Sequence, residues 1–118
     1  MYVQGFLVPV PADKQDEYLK VARYIGDIMV EFGATEIVEA WETDITDGEH
    51  TDFRMAVKAE PGEKIVFSWI IWPDKETADA SHEKMMADKR MQGDFDMPFD
   101  GKRMVFGGFT PIFTVGRN

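Results

Sequence analysis

Cysteine is absent from the 118 residues. That removes disulfide frameworks, thiolate metal sites and cysteine nucleophiles together. Long apolar runs are missing too, and none approaches the roughly 18 residues that a membrane-spanning helix needs. The first residues (Met1, Tyr2, Val3, Gln4, Gly5) place no basic segment ahead of their apolar stretch. The expectation is therefore a cytoplasmic protein without a signal peptide. Positive charge is scarce: 13 Lys and Arg stand against 22 Asp and Glu, for a net charge of −9. Such a surface repels phosphate backbones and anionic lipids, so neither nucleic acid nor a membrane is expected as a partner. No Gly-x-Gly-x-x-Gly, Walker loop, Gly-x-Ser-x-Gly elbow or His-Glu-x-x-His occurs. The common nucleotide, hydrolase and metalloprotease signatures are thereby excluded.

What is present is a globular balance, 44% apolar and 30% charged, sized for one domain over residues 1–118. A first strand is predicted from Tyr2 to Val10, apolar on both faces, with Pro9 and Pro11 at its end. A helix follows over about residues 12–32. Tyr18, Ala22, Ile25, Met29 and Phe32 form its apolar stripe and Gly33 its C-terminal cap. The second strand, about Thr35–Ile45, carries Ile37, Glu39, Trp41 and Thr43 on one side and reads as an edge. Residues 47–62 form an irregular insertion, with either a short helix capped by Thr51 or a short extra strand in which Phe53, Met55 and Val57 alternate; the helical turn is the expectation. The run Ile65-Val66-Phe67-Ser68-Trp69-Ile70-Ile71-Trp72 holds one polar residue, as a central strand buried on both faces does. Asp74 caps a second long helix ending near residues 86–88. A loop covers 91–101, and a last strand runs from Lys102 to about Val115, interrupted by Gly107 and Gly108, which suggest a bulge or a close backbone approach, with Pro111 demoting its later half to an edge.

The order β-α-β-β-α-β predicts an α+β, ferredoxin-like domain: a four-stranded antiparallel sheet with both helices on one face. The other face then exposes either Phe67 and Trp69 or Ile70 and Trp72. Nothing else in a chain this short forms a third layer. A second copy packed sheet to sheet, as a dimeric α/β barrel, covers that face; the alternative is that the 47–62 segment folds over it.

Several segments are specific enough to carry a resemblance: Tyr2-Val3-Gln4-Gly5-Phe6, Val66-Phe67-Ser68-Trp69-Ile70 and Met97-Pro98-Phe99-Asp100-Gly101-Lys102-Arg103-Met104. With Thr51–Ala59, they make the chain similar to the YbaA-like family of small bacterial proteins of unknown function. The resemblance spans nearly the whole chain. It implies the same ferredoxin-like homodimer and no assigned reaction.

Candidate chemistry is thin. His82, on the second long helix, reads as a general base or a haem or metal ligand, or else as a helix residue bonded to a neighbour such as Asp79. His50 stands among Asp44, Asp47, Glu49 and Asp52, but the spacing fits no calcium loop. No metal or cofactor is therefore expected. Gln4, Trp41 and Trp69 are candidates to line a pocket between layers. Arg54 and Arg103 are candidates to clamp a carboxylate, or to pair with Asp52 and Asp100. The functional expectation is a dimer binding a small apolar or carboxylate-bearing ligand. The alternative, by analogy of fold, is a cofactor-free or haem-handling monooxygenase-like enzyme using Gln4, Trp69 and His82.

Overall fold

The computed structural model describes residues 1–93 and 96–116; Asp94 and Phe95 of the predicted 91–101 loop lie outside them. Four strands, β1 (Tyr2–Pro11), β2 (Glu36–Trp41), β3 (Glu63–Trp72) and β4 (Val105–Phe109), form one antiparallel sheet in the order β2-β3-β1-β4. Between them run α1 (Gln15–Glu31), the single turn α2 (Phe53–Ala56) and α3 (Lys75–Ala87). The two strands richest in apolar residues are the central ones, and β2 is an edge, as their composition requires.

Register assigns every side chain a face, because opposed residues of an antiparallel pair point the same way. Phe6 lies opposite Ser68 and Phe106, and Gly5 lies opposite Trp69 and Gly107. The even-numbered positions of β1 therefore look towards the helices. There Val8, Val10 and Val66 bury Tyr18 of α1, while Ile70 and Trp72 bury Ala78 of α3. The odd-numbered positions, with Phe67, Trp69 and Ile71, form the open face. Of the two alternatives left by the sequence, Phe67 and Trp69 are the pair on the face that α1 and α3 leave uncovered.

Local chemistry sets the ends of the helices. Gly33 takes φ +115°, a conformation that side-chain-bearing residues rarely adopt, and stops α1. Asp74 caps α3 by accepting from the Thr77 N–H at 2.7 Å.

Three boundaries differ from expectation. Asp52, not Thr51, caps α2: its carboxylate accepts from Met55 N at 2.7 Å and Gly48 N at 3.0 Å, and an ionised acceptor outcompetes a hydroxyl. The last strand is shorter than 102–115. Residues Gly101–Arg103 form a 3-10 turn capped by Asp100, and pairing with β1 stops at Phe109, just before Thr110 and Pro111. Gly107 and Gly108 pair in regular register rather than forming a bulge. β2 also ends early, at Trp41, because the Glu42 side chain turns in to accept from the Ile65 N–H at 2.9 Å.

Candidate functional site

The open face is a broad apolar trough of about 720 Å³, with Val3, Leu7, Phe67, Trp69, Ile71 and Phe109 among its walls. Gly5 and Gly107 lie side by side at its middle and leave room for the Phe109 ring, whose edge would touch a Cβ at Gly107 at 3.4 Å. The 47–62 segment covers one end only. Phe53 meets Phe67 edge-on at 6.0 Å between centroids, and Phe67 meets Trp69 at 5.6 Å. Phe67 nevertheless stays 47% exposed and Phe109 62%. Beyond β4, Ile112, Phe113 and Val115 are also exposed.

Two ion-pair clusters fasten the insertion and the last loop to the start of β3. Arg54 pairs with Glu42, whose side chain is only 6% exposed, and donates to the Glu63 carbonyl at 3.4 Å. Burial raises the Glu42 carboxyl, but the Ile65 N–H and Arg54 outweigh burial and hold it below its usual range. Arg103 grips Glu63 through two bonds of 2.7 Å, reaches Asp100 at 3.1 Å and donates to the Lys58 carbonyl at 2.9 Å. The Arg103 bond is the main cause that lowers the Glu63 carboxyl. Both arginines thus clamp carboxylates of their own chain.

The remaining sequence candidates are dispersed. Gln4 looks towards the helices and accepts from Trp72 Nε1 at 2.9 Å. Trp69 lies on the opposite face and donates to Glu36 at 3.0 Å. His82 is exposed on α3, where Asp79 pairs instead with Lys75 at 2.7 Å. Gln4, Trp69 and His82 therefore do not converge, which leaves the monooxygenase-like constellation without a geometry. Trp41 lies on the helix-facing side, opposite Val66.

One pairing was not read from the sequence. Tyr18 of α1 donates to Glu39 of β2 at 2.6 Å, beside a hollow of about 160 Å³ between α1 and the sheet. Burial, then the Glu39 bond and charge, push the Tyr18 phenol far above its ordinary value. Burial likewise raises the Glu39 carboxyl, against the opposing pull of the Tyr18 bond. The visible signal was a glutamate between Ile37 and Trp41 on the apolar side of a strand.

The class of protein is now defined: a ferredoxin-like α+β domain with two helices on one sheet face and an apolar trough on the other. The same fold is seen in the crystal structure of an uncharacterized NIPSNAP domain protein from Burkholderia xenovorans. That chain aligns over 99% of this one and all of itself, with a TM-score of 0.52 and 17% identity. The chain belongs to the family described as "Protein of unknown function (DUF1428)", whose model matches residues 1–101. It is 57% identical over 113 residues to the uncharacterized protein YbaA of Escherichia coli K12, covering 94% of this chain and 96% of that one. The YbaA protein of Shigella flexneri matches equally. The resemblance read from the sequence is thereby shown.

Proposed function

We propose that this chain works as a homodimeric small-molecule-binding protein, two copies paired open face to open face around a small apolar ligand. The observation that carries this reading is the uncovered apolar trough. Apolar surface of this kind is costly in water, and none of the residues lining the trough has a charged side chain. Two copies that each carry −9 would meet there across uncharged lining residues, with Glu36 and Glu63 at the margins engaged by Trp69 and Arg103. The molecule measures 39 × 38 × 22 Å, so its broad side is ample for the roughly 800 Å² per partner of a standard interface. The ligand is apolar rather than carboxylate-bearing, because Arg54 and Arg103 are already engaged by Glu42 and Glu63.

Sedimentation velocity at micromolar concentration tests the pairing. The expected species has twice the chain mass of 13.5 kDa. A lone 13.5 kDa species, with Trp69 open to a soluble quencher, would overturn it.

A further inference from the structure

The helix-facing side of the sheet holds a second apolar space, separate from the trough. Helix and sheet normally close on one another to the density of an organic crystal, with few voids larger than a water molecule. Here about 160 Å³ stays open. The cause is in α1: Ala22 and Gly26, one turn apart on its sheet-facing side, are small. A Cβ built on Gly26 would only graze Ile37 at 3.6 Å. Phe6, Ile25, Met29 and Ile70 supply apolar walls. Phe99 closes against Tyr18 at 5.8 Å between ring centroids.

We propose that this hollow is a binding site for an uncharged, single-ring molecule bearing one hydroxyl group, which donates a hydrogen bond to Glu39. Size sets the ring count, since a protein cavity of about 150 Å³ accommodates benzene. Polarity sets the hydroxyl. Among the described residues Tyr18 alone donates to the Glu39 carboxyl, and it uses one oxygen, Oε1. Oε2 has no protein donor among the described residues, and Glu39 is exposed enough for water to reach it, so a ligand hydroxyl donating there takes the place of that water. Charge excludes an anion: among the described residues no Lys or Arg pairs with Glu39, so a ligand carboxylate would meet another carboxylate without a counter-ion. Ser68, opposite Glu39 in the β2–β3 register, adds a second polar group to the same wall.

Three probes of one size test the site: benzyl alcohol, toluene and benzoate, titrated against protein labelled at its methionine methyls. Met29 and Met104 line the hollow, whereas Met55 and Met86 lie outside it and serve as controls. Benzyl alcohol is expected to bind about tenfold tighter than toluene, the worth of one good hydrogen bond. It should shift Met29 and Met104 while Met55 and Met86 stay still. Benzoate should leave all four unmoved. In Tyr18→Phe/Glu39→Met, where the Glu39 acceptor is removed together with its Tyr18 donor and only Ser68 stays polar, the tenfold preference should vanish while toluene still binds. Toluene binding also shows that the variant is folded. Ala22→Leu, which narrows the hollow, should weaken both neutral probes. The site is independent of pairing, so Phe67→Asp, aimed at the open face, should bind benzyl alcohol as the parent does. The proposal fails if no probe shifts Met29 or Met104. It fails equally if the parent does not distinguish benzyl alcohol from toluene, or if the preference survives in the double variant.

Discussion

Arg103 shows how a side chain that invites a binding role can be consumed by the fold. Its guanidinium joins Glu63 at the start of β3, Asp100 in the loop before β4 and the Lys58 carbonyl in the insertion. Because Arg103 lowers the Glu63 carboxyl in the folded protein, this group adds stability above the ordinary glutamate range, near 4.3. That stability is lost as pH falls through the lowered folded value. Arg103→Ala is therefore expected to destabilise the protein at pH 7 and to flatten the acid limb of its stability profile, as read by urea unfolding from pH 3 to 7. Gly33 acts through the backbone instead. With φ at +115° and the Thr77 side chain close to where a Cβ would stand, Gly33→Ala should cost about 1–2 kcal/mol in urea unfolding, with the m-value unchanged. Neighbouring residue types announced both the glycine cap and the arginine–aspartate contact. The Tyr18–Glu39 bond was not announced. Its partners are 21 residues apart and meet only because α1 lies across the edge of the sheet.

At the scale of elements, strongly patterned segments were legible and weakly patterned ones were not. β1, α1, β3 and α3 each carry a long signal: both-face apolarity, a 3.6-residue stripe, or a capping aspartate after a proline. Asp74→Ala should lower the melting temperature by a few degrees and increase amide exchange in the first turn of α3, because the Thr77 N–H loses its acceptor. β4 was overextended in the sequence reading. Val105 to Val115 stays rich in β-forming residues, yet only Val105–Phe109 finds a partner strand, since β1 has already begun at Tyr2. The insertion was ambiguous for a related reason. Its short helix depends on Asp52 winning the capping contest and on Arg54 reaching Glu42, and neither has a periodic signature.

For the whole molecule, the governing fact is that one sheet serves two faces and the helices cover one. Phe67→Asp places a charge in the middle of the trough, where Phe67 is 47% exposed and so tolerates replacement in the single copy. It should convert the expected pair to single copies in sedimentation without altering the far-ultraviolet circular dichroism. The order of elements, the ferredoxin-like class, the central place of β3 and the surplus of apolar side chains were all determined by sequence. Each follows from periodicity, capping and composition, which act over a few neighbouring residues. Tertiary structure alone decided that Phe67 and Trp69, rather than Ile70 and Trp72, face outward, because the register of β3 against β1 fixes the side on which α1 and α3 lie. It also decided that Gln4, Trp69 and His82 stand apart, that both arginines are spent on their own chain, and that small residues on α1 leave a hollow beside Glu39. Those outcomes depend on contacts between distant parts of the chain, and such contacts leave no period in the sequence.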